Sequence, residues 1–348
     1  MTNWQVFPKE QKSVYFIPSK TEGSHQTHAK GKLIERWKNV ARRLRCVGAI
    51  SYDRVKPSKT VNTISQSIHF SDEVLEVKKW LISDGLNFNL YDIRDKWEFT
   101  FNLRKNDIFD LTSLSDVFKA WPIFQGPNSY ELILEDFKIG YQKTNTHEDF
   151  KNSWEKFSKR LIEIRKSSIK DKHALTLLKR LDSSNLNGDL MTSNIIRILL
   201  VPYLIPTKTQ IKNCSSNARN KFWKPSLFES ALSFATHVTN ITNFNEDFTQ
   251  RQNRYSEYGA TIQPYIVFVG PDIESISSIY VRIDEHFWCF ECPLKALEVC
   301  FKSYFVFHRS YPKESHDSWL VIQQLLFKLN TEYDRPTSIT TTVIGMFE

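Results

Sequence analysis

In the stretch HEDFKNSWEKFSKRLIEIRKS, residues 147–167, Phe150, Trp154, Phe157, Leu161 and Ile164 recur at intervals of three and four. At about 3.6 residues per turn these side chains line up as one apolar stripe, and the charged residues between them fill the remaining surface. A stripe of that period is buried as a single face only by a helix, and its three aromatic rings demand another packed layer opposite it. The same spacing recurs on both sides. SDEVLEVKKWLISDG starts at a capping residue, Ser71, has Asp72 and Glu73 in its first turn, and meets Gly85 beyond its end, the order of signals that brackets a helix. LYDIRDKWEFTFNLRKN places Ile93, Trp97 and Phe101 on one face, and LTSLSDVFKAWP stops at Pro122. YELILEDFKIGY, DKHALTLLKRLDSS and DLMTSNIIRILLVPYLIP continue the pattern, so residues 71–205 read as an all-α domain. With 25 Phe, 13 Tyr and 9 Trp in 348 residues, the chain carries the apolar mass to fill such a core.

The pattern changes further on. Residues 206–224 are polar, and PSLFESALSFATHVTNI reads as a helix with Pro225 in its first turn. Asn243 to Tyr258 is rich in Asn and Gln and reads as a loop. IQPYIVFVG, SIYVRID and HFWCFE are short, β-branched or aromatic runs, which predict three antiparallel strands within 262–291. Two helices follow, starting at Pro293 and Pro312, and TSITTTVIGMFE reads as a loosely held tail. The predicted class is mainly α with a small antiparallel β element. Its parts are a basic module over 1–60, a linker over 61–70, the all-α domain over 71–205, an α+β domain over 222–335 and the tail over 336–348.

Charge is confined to one end. Residues 1–60 hold 13 Lys/Arg against 4 Asp/Glu, a net of +9, whereas the other 288 residues hold 34 against 35. Within the first segment, KGKLIERWKNVARRLRC spaces Leu33, Trp37, Val40 and Leu44 as a helix face and surrounds them with Lys30, Lys32, Arg36, Lys38, Arg42, Arg43 and Arg45. A field this localised attracts nucleic acid or another polyanion, or an acidic protein. Contacts of this kind go to phosphates and carry no base preference. The alternative is a solvated or internally paired basic face.

The remaining chemistry is sparse. His286, Cys289, Cys292 and Cys300 are the set that zinc would draw on, but they contain a single C-x-x-C, without the second tight pair that gathers four ligands at about 2.0–2.3 Å. His25 and His28 sit three apart in a basic loop, and His147-Glu148 lacks the second histidine of a metalloprotease helix. Glu131 and Glu135 share a helix face beside Asp136, a pattern that an acidic nuclease or hydrolase site and the wet side of an ordinary helix have in common. No Walker, nucleophile-elbow or dinucleotide motif occurs, and ten dispersed glycines would not build one. Five cysteines, the polar start MTNWQVFPKEQK and the short run IIRILLVPYLIP, interrupted by Arg197 and Pro202, point to an intracellular protein outside the membrane, with no cofactor expected.

Several blocks resemble a known family. THAKGKLIERWKNVARRLR, KKWLISDGLNFNLYDIRDKWEFTFNLRK, DVFKAWPIF, ELILEDF and ALEVCFKSYFVFHRSYPKESHDSWLVIQQLLFKL, in that order, resemble an animal family expanded in insects and fishes. In some of its members this region follows a sterile alpha motif, and its multiplication is transposon- or virus-like. The resemblance covers most of the chain and implies no catalytic or ligand-binding residue. The residues before Lys30 do not read as a sterile alpha motif, the self-associating module of those members. The expectation is a non-enzymatic adaptor that binds a polyanion through the basic helix. The alternatives are a protein-interaction or self-association module and a transposon-derived nuclease.

Overall fold

The computed structural model describes residues 20–22, 25–27, 70–111, 113–141, 147–183, 189–212 and 222–347. They fall in two units, 1–69 and 70–348. In the first, β1 (Lys20–Glu22) pairs antiparallel with β2 (His25–Thr27) in the stretch expected as an exposed loop.

In the second unit, the helical half is built of α1 (Asp72–Ser83), α2 (Leu90–Phe99), α3 (Phe101–Asp110), α4 (Leu114–Ala120), α5 (Tyr130–Tyr141), α6 (His147–Arg165), α7 (Lys172–Leu181) and α8 (Leu190–Leu204). The expected single helix over 90–106 is two, broken at Thr100. Trp97 and Thr100 are fully buried at that break, and the guanidinium of Arg104 fills the space beside them. The stripe of α6 is buried as its spacing demands, with Phe150, Trp154, Phe157 and Leu161 all inside. Apolar residues occur on every side of α8, the pattern of a central helix rather than a surface one. Among the described residues no helix is long and apolar enough to cross a membrane.

A short ladder, β3 (Ile211–Lys212) with β4 (Phe222–Trp223), leads to α9 (Leu227–Phe234), which begins in a capping box between Ser226 and Glu229. The helix expected to run on from there ends at Phe234, and Ala235–Val238 forms strand β5. The Asn/Gln-rich segment expected as a loop is α10 (Ile241–Glu257). It crosses from β5 to β6 (Tyr265–Val269), which lies parallel to β5, so these elements make a βαβ unit. β7 (Ser278–Ile283) and β8 (His286–Phe290) extend the sheet antiparallel, in the order β5-β6-β7-β8. The three strands foreseen within 262–291 are present, and a parallel fourth is added at the edge. Gly270 ends β6 where a Cβ would sit 2.3 Å from the Ser275 carbonyl oxygen, so the close return of the chain requires glycine.

Alternation along the strands assigns the two faces of the sheet. Ile266, Phe268, Ile279 and Val281 turn toward the main core with α11 (Pro293–Val306), and Tyr265, Val267 and Val269 turn toward Phe244 of α10. The main core runs without interruption from Leu81 through α8 and α11 to Val343, so it draws side chains from both segments expected as separate domains. α12 (His316–Leu325) starts four residues beyond the expected Pro312. The tail expected to be loose is helix α13 (Ser338–Gly345), capped by Thr337, with Thr340 and Val343 buried and Phe347 stacked on Phe157 at 5.4 Å.

One buried group works against this packing. Glu314 is 1% exposed, and the polar groups closest to its carboxylate are the Tyr255 phenol and its own backbone N–H, neither in good hydrogen-bond geometry. Burial raises its pKa above the ordinary 4.5, opposed in part by the Tyr255 phenol of α10, by Lys313 and by Arg251. A carboxyl that holds its proton longer folded than unfolded stabilises the fold below the unfolded pKa, and that stability is lost as pH rises through the folded one. Glu314→Gln is therefore expected to raise the unfolding free energy by about 1–3 kcal/mol at pH 7. In urea melts from pH 4 to 8 the gain should be absent near the ordinary glutamate pKa and grow above it; a gain independent of pH would mean that packing, not charge, is the cause.

Candidate functional site

A cleft of about 720 Å³ opens where the C-terminal end of α11 meets α3, α12 and the segment after α12. Two other clefts measure about 230 and 190 Å³. Its inner side is Tyr304, Leu320 and Gln323, and its rim carries Lys105, Phe109 and Tyr333, the two rings 65% and 77% exposed.

Local chain chemistry places each part. α11 ends in a Schellman motif, in which His308 N–H donates to the Phe305 carbonyl and Arg309 N–H to that of Tyr304. The residue in the left-handed position of such a motif is usually glycine, but here it is His308, with φ 49°. The turn aims its imidazole at Phe109 of α3, and the rings meet edge to face at 5.6 Å. Burial lowers the pKa of His308, and the neighbouring Lys105 and Arg309 cations lower it further, which favours the neutral ring.

Opposite, Gln323 ties the walls together. Its Nε2 donates to the Leu329 carbonyl and to both oxygens of Asp334, and its Oε1 accepts from the Tyr311 hydroxyl at 2.8 Å. Asp334 also accepts from Gln324 and from the backbone and hydroxyl of Thr331, which holds the 331–334 segment in one conformation. Burial alone would raise the Asp334 pKa, but these bonds outweigh it and hold the carboxyl below its ordinary value. His316 adds a second imidazole, 6.1 Å from the Tyr311 ring. The cleft thus joins cations on one side, hydrogen-bonding groups on the other and aromatic rings at its edge.

The residues singled out from sequence lie elsewhere. Lys30, Lys32, Arg36, Lys38, Arg42, Arg43 and Arg45 are outside the described residues, as are the side chains of His25, His28 and His147. The four residues that zinc would draw on do not gather at one point. His286 lies on the core-facing side of β8, 4.3 Å from the Phe118 ring, and Cys289, an odd number of residues away, lies on the other side, opposite Tyr280. Cys292 precedes α11, and Cys300 is fully buried in that helix, where burial pushes its thiol pKa far up, away from the thiolate that zinc requires. Among the described residues no three His, Cys, Asp or Glu side chains gather as a metal site. The carboxylates of α5 also separate: Asp136 is buried against Arg104, whereas Glu131 faces Lys295 and Glu135 faces Lys138.

The sequence reading gave no role to any residue of this cleft. The one local signal that could have pointed to it is FVFHRSY, a helix end without glycine that places His308 in the left-handed position. No protein-family model, curated protein or solved structure matched this chain.

Proposed function

We propose that this chain is a non-enzymatic binding protein. Residues 1–60 contact nucleic acid or another polyanion without sequence preference, and residues 70–348 form a helical body for protein interaction or self-association. The supporting observation is the confinement of charge: a net +9 in the first 60 residues beside 34 basic and 35 acidic groups in the rest. A cationic segment joined to a nearly neutral body binds phosphates electrostatically and leaves the body free for other contacts.

Anisotropy of labelled single- and double-stranded DNA and RNA, titrated from about 50 to 200 mM salt, tests this reading. The expected result is binding that weakens steeply with salt. Changing Arg36, Arg42, Arg43 and Arg45 together to glutamate should flatten the log–log salt slope on duplex DNA by about 3–4, at roughly 0.9 per phosphate contact. Binding absent at low salt, or unchanged in the variant, would reject the polyanion role and leave the interaction module.

A further inference from the structure

We infer that the cleft between α3, α11 and the segment after α12 binds a planar aromatic ring carrying a phosphate, the size of a nucleoside monophosphate, either free or as one unit of a single strand. The inference goes beyond the polyanion reading, because none of its residues lies in the basic segment.

Four observations converge. The volume, about 720 Å³, falls within the roughly 300–1,000 Å³ of small-ligand sites. The cations are grouped: Lys105 and Arg309 both act electrostatically on His308; Arg309 is engaged by the Leu111 carbonyl and the charge of Asp116, whereas among the described residues Lys105 makes no salt bridge. A phosphate at this end would satisfy that field and draw a proton onto His308. The rim rings Phe109 and Tyr333 leave 65% and 77% of their surface in water, as stacking platforms do and core residues do not. Finally, the walls are set in advance, by the Schellman turn on one side and by Gln323 with Asp334 on the other, so little ordering is left for the ligand to impose. The carboxylates of the lining come from the segment after α12, and the cations from α3 and the end of α11. Asp334 is engaged by Gln323, Gln324 and Thr331, and Glu332 lies at the far rim. This polarity orients the ligand, with phosphate toward Lys105 and His308 and the ring toward Tyr333 and Asn330. A base with an exocyclic amine suits the acidic end, so adenine is the probe.

The test uses the full chain and calorimetric titration with adenosine 5′-monophosphate, adenosine, inorganic phosphate and a hexamer of riboadenylate. The monophosphate should bind at least about tenfold more tightly than either fragment, since stacking and charge act together. Lys105→Glu should weaken the monophosphate about tenfold and leave adenosine nearly unchanged. Tyr333→Ala should weaken both by about tenfold. Both positions are exposed, and a thermal melt confirms that the variants fold. The His308 C2 proton, followed by NMR, should titrate at higher pH in the complex than in the free protein. A hexamer that binds more tightly than the monophosphate marks a strand unit, and the reverse marks a free nucleotide. The quadruple glutamate variant of residues 36–45 should retain monophosphate binding, so failure of the polyanion reading leaves this one standing. A monophosphate no tighter than phosphate, or indifferent to both Lys105→Glu and Tyr333→Ala, overturns the inference.

Discussion

Arg104→Met, with Asp136 left in place, is expected to destabilise the protein by about 3–5 kcal/mol, because it strands a buried carboxylate. The guanidinium is 1% exposed and the carboxylate 4%. Arg104 donates from Nε to Asp136 at 2.8 Å and makes a second bond to it from a terminal nitrogen. It also donates to the Thr100 hydroxyl at 2.9 Å and to the Trp97 carbonyl at 3.0 Å, while lying 3.5 Å over the Trp97 ring. Thr100 and Trp97 stand where α2 breaks into α3, so one side chain closes the charge pair and satisfies a helix end together. Replacing both partners, Arg104→Met with Asp136→Leu, should recover most of the loss, since well-packed apolar pairs replace buried ion pairs at little cost. Urea melts of the two variants decide the point. If the double variant is as unstable as the single, the energy lies in the stacking on Trp97 and the bonds to the break, not in the charge pair.

This pair also shows where sequence reading stops. The stripes of α1, α6 and α8 are local, and the periodicity of a single segment displays them. The break at Thr100 depends on Arg104 meeting Asp136 across 32 residues, and nothing local marks either residue as buried. β5 was hidden for a similar reason. ATHV follows LFESALSF at helical spacing, and its strand state comes from pairing Ala235 with Ile266 and Val238 with Val269. α10 was misread from composition, although Phe244 and Phe248 are buried four residues apart and Asn240 accepts from the backbone N–H of Asn243 as an N-cap. The antiparallel meander of β6 to β8 was legible because its apolar runs are short and separated by turn residues. The cleft was not, since its side chains come from segments between residues 105 and 334 that only the fold brings together.

Asp317→Ala is expected to cost about 2–4 kcal/mol and to release the C-terminal helix before the rest of the protein. TSITTTVIG is rich in β-branched residues, which lose side-chain freedom in a helix, so α13 has little intrinsic reason to form. It is held from outside. The Thr337 hydroxyl caps α13 by accepting from the N–H groups of Ile339 and Thr340, and it donates in turn to Asp317 at 2.9 Å; the Thr340 hydroxyl donates to the same oxygen at 2.8 Å. Asp317 is fully buried in the first turn of α12, where the helix dipole favours a negative charge. Burial alone would raise its pKa, but the bonds from His316, Thr340 and Thr337 override that and hold the carboxyl below the ordinary 3.8. A carboxyl lowered in this way stabilises the fold above the unfolded pKa and loses that contribution as pH falls through the folded one. Alanine removes the acceptor and leaves the buried Thr340 hydroxyl and the half-buried Thr337 hydroxyl without it. In hydrogen exchange at neutral pH, the amides of residues 338–345 should therefore lose protection well before those of α11. The wild type should approach the variant's behaviour only in strong acid. Asp317→Asn, which keeps an oxygen in place, should lose less than alanine does. If α13 amides stay as protected as α11 in Asp317→Ala, then burial of Val343 and stacking of Phe347 hold the helix without the carboxylate.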